Sequence, residues 1–435
     1  MDISEHSLEE VKPAPSLVSR LNNLLSSRYV VSVGAQAVVS GFHFSLNLIL
    51  LRLVTPYEYG VFAYAFVLAM FASAINNALI ATPLTVYTPI IEDSEEKASQ
   101  ESMFSTLNLL LFIALVLAGL IYSWVSNLEN STTVGVTAFV AVYAARQYSR
   151  CVGYARLRPL VPAAGDIAYV VAGVTLVVAL VYNSTDSLAI GHVLMALAAA
   201  NCFAMLVERL LLHGRHHQWL TIAKLGGYSE IWKQSRWALI GSLTTLFLAQ
   251  AHSLIITSTH GPDAYAPLAA GFVLFGPVRI ALLTWQNMVK PELAVALSDS
   301  RTAAVQSQIK RTSLLMGLAV VLLGVTLFFA WPWLNDFLYA RRYADQPMAQ
   351  IVGTWSVITF FAAIYNAPAA ALQAMRDFRV LAMASMYGAV LSGTTVWLTL
   401  YWFKPETTLF GILAAECFMA IYLTRVMYQR LQARQ

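Results

Sequence analysis

Twelve apolar windows recur along this chain of 435 residues, at 29–54, 59–82, 103–125, 134–148, 161–181 and 190–211, then at 237–257, 268–289, 312–330, 348–370, 380–402 and 407–427. A helix of roughly 20 such residues crosses the hydrocarbon core of a bilayer, and each must satisfy its backbone internally. Composition agrees: 58% of residues are hydrophobic and 11% charged, against roughly 45–50% apolar in soluble domains. The expected fold class is an all-α polytopic membrane protein with twelve transmembrane helices.

The basic residues orient the array, because lysine and arginine collect in cytoplasmic loops. Alternate connecting segments hold nearly all of them, Arg146 and Arg150 among them. The opposite side has only Arg52, Arg341, Arg342 and Lys404, and Arg279 falls inside a window. Both termini are therefore expected in the cytoplasm. The first 28 residues lack the basic-then-apolar pattern of a cleaved signal peptide, so the first span serves as its own signal. Cys151, Cys202 and Cys417 are isolated, which argues against disulfides and zinc, and no metal or cofactor is expected.

The longest connection, 212–236, separates two sets of six windows. The expected organisation is a cytoplasmic N-terminal segment 1–28, a six-helix lobe 29–211, a cytoplasmic linker 212–236, a second lobe 237–427 and a cytoplasmic tail 428–435. Sliding the halves by 206 residues aligns Pro56 with Pro262, Tyr59 with Tyr265, Ala63 with Ala269 and Phe66-Val67-Leu68 with Phe272-Val273-Leu274. This indicates a parallel 6+6 repeat. At that offset Ser73 stands opposite Arg279, so the arginine belongs to one half alone.

Arg279 lies near the middle of window 268–289. A guanidinium at the bilayer centre costs about 2.5–3.5 kcal/mol on insertion scales, and it is normally kept facing a cavity or a partner. Gln286, Asn287 and Lys290 follow at i+7, i+8 and i+11, one polar stripe on an apolar helix. Gly276-Pro277 just upstream should kink the helix. The alternative is a structural arginine satisfied by carbonyls. A guanidinium fork suits phosphate or diphosphate.

Other intramembrane polar residues are His43 and Asn47 on the first helix, Asn76 and Asn77 on the second, Gln250 and His252 on the seventh and Glu416 on the twelfth. They either line a hydrophilic lumen or bond between helices. Asp166 follows Pro162 and Gly165 and reads as an N-cap, with ion coupling the other candidate role for it and for Glu416. Arg52 sits where an exported anion or lipid headgroups would meet it. With no Walker motif and no large outer loop carrying acids and histidines, the chain reads as a transporter rather than an enzyme.

Several stretches resemble the Wzx-type polysaccharide and O-antigen flippases of the multidrug, oligosaccharidyl-lipid and polysaccharide exporter superfamily. They are Leu51-Arg-Leu-Val-Thr-Pro-Tyr-Glu-Tyr-Gly60, Ser235-Arg-Trp-Ala-Leu-Ile-Gly-Ser with Gly261-Pro-Asp-Ala-Tyr265, Lys290-Pro-Glu-Leu-Ala294, Phe337-Leu-Tyr-Ala-Arg-Arg-Tyr-Ala344 and Leu372-Gln-Ala-Met-Arg376. The weight is in their order along the chain. Ala340 stands near a usual glycine, and His252 replaces the acid that many members carry. The resemblance implies two lobes around a cavity that opens alternately to each side of the inner membrane, with an undecaprenyl-diphosphate-linked oligosaccharide as cargo and Arg279 at the diphosphate. It also implies membrane lipids and other polysaccharide assembly proteins, a polymerase or chain-length regulator, as partners, and no nucleic acid. A cation-coupled drug or metabolite antiporter of the same fold is the second reading, and an integral ligase or polymerase the third.

Overall fold

The structure, a computed structural model, describes residues 28–125, 130–183, 188–212, 227–298, 301–339 and 342–433. The expected N-terminal segment, most of the linker, the tip of the tail and Arg341 lie outside the described residues. The first half holds α1 (Arg28–Leu53), α2 (Pro56–Asn76), α3 (Ser94–Val125), α4 (Asn130–Ala155), α5 (Leu160–Asn183) and α6 (Ile190–Leu211). The second holds α7 (Tyr228–His260), α8 (Pro262–Val273), α9 (Gly276–Ser298), α10 (Thr302–Leu334), α11 (Met348–Ala374), α12 (Phe378–Trp402) and α13 (Leu409–Gln432). No strand occurs among the described residues.

Among those residues, 10 helices are long and apolar enough to cross a membrane, or 11 with α8 and the start of α9 counted as one bent span. The bend measures 59° and falls at Leu274 and Phe275, just before Pro277. The proline at the second position of α9 lacks the N–H that would continue α8. Helix α4 is the exception in composition. It covers the expected window 134–148, which holds Arg146, and extends to Ala155, taking Arg150 into the helix as well. The expectation that Arg146 and Arg150 lie in a connecting segment is corrected accordingly: both fall inside the helix, and Arg146 is buried.

Local chemistry sets the turns. Helix α2 starts on a capping box, in which the Thr55 hydroxyl accepts from the Glu58 amide and the Glu58 carboxylate accepts from the Thr55 amide, with Pro56 preset at the first helical position. Gly261, at φ 85°, turns α7 into α8 in a conformation that favours glycine. Leu157 and Arg376 take left-handed φ values of 56° and 62° directly after α4 and α11. Each closes the same motif: the Arg158 and Asp377 amides donate to the Gly153 and Leu372 carbonyls across the helix end.

The helix pairings recur between the halves. In the first, α1 packs on α5, α2 on α4, α3 on α4, and α6 on both α4 and α5. In the second, α7 packs on α12, α8 and α9 on α11, α10 on α11, and α13 on both α11 and α12. The halves meet along α2, which touches α7 and α8.

The end that the charge asymmetry assigns to the outside, called the outer end below, is closed. There a core containing Tyr59, Phe62, Tyr265, Tyr339 and Trp355 is continuous across both halves. Gly60 lies so close to α8 that a Cβ would come 2.0 Å from the Pro262 carbonyl oxygen. Above it the Arg342 guanidinium donates to the Leu53 carbonyl at 3.1 Å, and Arg52 stacks over Phe337 at 4.3 Å. At the opposite end α2 passes through a π-helical turn, Asn77–Ala81, before Thr82–Tyr87. This turn leaves the Leu79 carbonyl to accept from the Tyr228 hydroxyl at 2.6 Å, and Tyr87 donates to Gln234 at 2.7 Å.

Candidate functional site

Helix α9 begins one turn before Arg279, so the break at Leu274–Phe275 decides where the guanidinium points. It stacks over the Phe272 ring, on the other arm of the bend, at 4.7 Å. The charged and polar groups that reach it electrostatically are Glu416 on α13, Tyr365 on α11 and Tyr265 on α8. Arg279 is exposed, while Glu416 and Tyr265 near it are buried. Glu416 shares a hydrogen bond with Tyr365, and its Oε2 has no partner. Among the described residues Arg279 has no ion pair within bonding distance, and the Glu416 Oε2 near it has no hydrogen-bond partner, an arrangement that suits an anion with its own counter-charge.

The polar stripe below Arg279 is described only in part. Lys290 is half-buried, whereas the side chains of Gln286 and Asn287 lie outside the described residues. Buried His252 packs on Tyr265 at 5.8 Å and on Trp355 at 5.5 Å between centroids, and its Nδ1 has no partner. Gln250 accepts from Ser253 within α7, so it is satisfied locally. The Trp355 indole in turn donates to the Leu268 carbonyl at 2.9 Å, which fixes the wall beside His252.

In the first half, His43 contacts the Tyr169 hydroxyl at 2.8 Å, Asn47 donates to the His43 carbonyl, and Tyr59 donates to Asn47 at 3.1 Å. These residues tie α1 to α2 and α5. Asn76 is fully buried and donates to Asn108 on α3 at 2.7 Å, whereas Asn77 is exposed at the π turn. Arg52 belongs to the outer closure, away from Arg279.

Asp166 does not cap a helix. It stands inside α5, well past Leu160, and accepts from Arg146 at 2.6 Å and Arg150 at 3.0 Å. Arg146 also donates to Asn201, lies 3.7 Å from Glu208 and stacks on Tyr169 at 4.8 Å. Ser149 donates to Glu208 through a short hydrogen bond. Sequence reasoning missed this cluster because it placed both arginines in a loop and passed over Glu208. The available signal was a lone glutamate inside window 190–211, where an unpaired carboxylate is expensive.

No family model matches the chain. The EPS I polysaccharide export inner membrane protein EpsE of Ralstonia solanacearum is 24% identical over 432 residues, which cover 96% of each chain. Among solved structures, an inward-facing multidrug resistance MATE family transporter of the MOP superfamily aligns at TM-score 0.67 and 12% identity over 95% of this chain and 98% of its own. The lipid II flippase MurJ, in an inward closed conformation, aligns at TM-score 0.67 and 12% identity over 92% of this chain and 87% of its own. The chain thus shares the fold of these MOP superfamily structures, and its ten described helices long and apolar enough to cross a membrane make it a multi-pass membrane protein.

Proposed function

We propose that this chain is a flippase that carries an undecaprenyl-diphosphate-linked oligosaccharide from the cytoplasmic to the outer face of the inner membrane by alternating access, for surface or exopolysaccharide synthesis. The observation that carries the reading is Arg279, an exposed guanidinium at the break between α8 and α9, stacked on Phe272 within electrostatic reach of Glu416. Its fork would take the diphosphate oxygens, and Lys290 would draw the headgroup in from the cytoplasmic mouth. The closed outer end and the alignment with two inward conformations support a state that loads from the cytoplasm. The polysaccharide-export name of the full-length relative supports the cargo class.

The recurring helix pairings and the matched ends of α4 and α11 support a layout of twelve spans in two six-helix lobes, 29–211 and 237–427, with both termini cytoplasmic. Rocking of the lobes about the α2–α8 contact would then open one end as the other closes. Within the loaded cavity, His43, Asn47, Asn77, Gln286 and Asn287 would offer amides and imidazole to sugar hydroxyls.

A cation-coupled antiporter of the same fold is the competing reading, and the MATE neighbour keeps it in view. Asp166 bears against it, because two arginines already occupy both of its oxygens. Glu416 is the remaining candidate for ion coupling, with a free oxygen. Deleting the gene should make a lipid-linked oligosaccharide accumulate on the cytoplasmic face of the membrane. Unchanged lipid-linked sugars together with a changed drug-resistance profile would replace the flippase with the antiporter.

A further inference from the structure

We propose that Phe272 is a positioning residue for the anion site: its ring, backed by Trp355, holds the Arg279 guanidinium so that the fork is already aimed when a phosphate arrives. This rests on the flippase reading and adds to it the group that orders the headgroup site.

The contact follows from the helix break. Positions i and i+7 share one face of a helix, about two turns apart, and side chains lean back toward the N-terminus. Arg279 therefore reaches back along its stripe toward Phe272, and its guanidinium carbon stands 4.7 Å from the ring centroid. The two residues lie on opposite arms of the 59° bend, so the aim of the guanidinium and the angle of the bend are set together. Phe272 is in turn held from behind. Its centroid lies 4.5 Å from that of buried Trp355, whose indole N–H donates to the Leu268 carbonyl. Gly271 permits this approach: a Cβ there would come 2.7 Å from the Ile351 Cγ2 and 3.3 Å from the Trp355 ring, which would push α11 and its tryptophan away.

The first half carries the same Phe-Val-Leu triad and puts it to different use. Phe66, the repeat partner of Phe272, packs among the rings of His43, Phe62, Phe139 and Tyr143, at 4.8 to 6.5 Å between centroids. Helix α2 runs unbroken through this triad and has Ser73 where Arg279 would stand. In the second half Phe272 packs on one ring, that of Trp355, among the described residues, and a face is left for the cation.

A guanidinium that swings freely gives up its rotamer freedom when it binds an anion, whereas one already held does not, and affinity gains by the difference. A carboxylate would also hold it, but at the expense of the N–H donors that a diphosphate needs. An aromatic face attracts the cation through the charge of its π-system and leaves those donors open.

The test uses the full chain in vesicles of phosphatidylethanolamine and phosphatidylglycerol, with farnesyl diphosphate as probe and uncharged farnesol as control. Mono-, di- and trifluorinated phenylalanine at position 272 keep the shape of the ring while draining negative charge from its face. Affinity for farnesyl diphosphate should fall stepwise along the series, to about fivefold weaker at its end, and farnesol binding should stay constant. Phe272→Tyr should bind the diphosphate like the original and Phe272→Leu about fivefold more weakly, and neither should alter the residual binding left in Arg279→Ala. Equal affinity across the fluorinated series would overturn the positioning role, as would a Phe272→Leu loss that persists in the Arg279→Ala background. If Arg279→Ala still weakens binding in either case, the headgroup reading stands without it. Failure of farnesyl diphosphate to bind the unaltered chain would instead sink the headgroup reading, and the positioning role with it.

Discussion

Arg146 on α4 and Arg279 on α9 meet different surroundings, which give them opposite work. Arg146 is held by Asp166, Asn201 and the Tyr169 ring, with Glu208 at 3.7 Å, a buried cluster internal to the first half. Arg279 has one ring beneath it and a carboxyl at a distance. Removing one partner of a buried ion pair strands the other, at about 3–5 kcal/mol. Asp166→Asn should therefore lower the thermal unfolding temperature of the purified protein clearly, and the double variant with Arg146→Met should regain much of the loss. An Asp166→Asn protein as stable as the original would show that the cluster is not structural. Arg279→Ala should leave folding and protein level unchanged and abolish surface polysaccharide, with Arg279→Lys retaining part of it, since an ammonium keeps the charge and loses the fork. Only one of these arginines was legible in the sequence. Arg279 interrupts an apolar run, whereas Arg146 sits among Tyr143, Gln147 and Tyr148, where a helix end and a polar helix interior look alike.

At the scale of elements, the capped start of α2, the bend ahead of Pro277 and the glycine turn before α8 all follow from local residue chemistry and could be read in advance. Contacts between helices could not, because they depend on faces that meet only after packing. Gly60 shows this: nothing in the sequence indicates that its missing side chain admits the Pro262 carbonyl. Gly60→Leu should wedge α2 from α8 at the outer end. A cysteine at Ala266, buried in the original, should then be labelled from outside about tenfold faster, which corresponds to a shift of about 1.4 kcal/mol toward the open state. Unchanged labelling would mean that this contact does not hold the outer end shut. The π turn at Asn77–Ala81 was equally hidden, since Pro83, just past window 59–82, marks a disturbance without giving its form.

At the scale of the molecule, apolar windows located helices along the chain more readily than they disclosed what those helices contain. Helix α4 lies where a window was expected, yet it is too polar to pass as a membrane span by itself. It is sheltered by α2, α3, α5 and α6. The orientation makes a separate prediction: cysteines at Asn130 and His260 should react with an impermeant reagent from outside, and one at Arg215 only from inside. The reverse pattern would turn the cavity mouth at Lys290 to the wrong side of the membrane.

The central claim is that Arg279 holds the diphosphate of a lipid-linked oligosaccharide during its crossing. The most direct measurement is translocation in proteoliposomes: the purified chain, an undecaprenyl-diphosphate oligosaccharide placed in one leaflet, and an impermeant sugar-cleaving enzyme that reports its arrival in the other. The unaltered protein should move it, Arg279→Lys more slowly, and Arg279→Ala at the rate of protein-free vesicles. Translocation by Arg279→Ala at the unaltered rate would contradict the account.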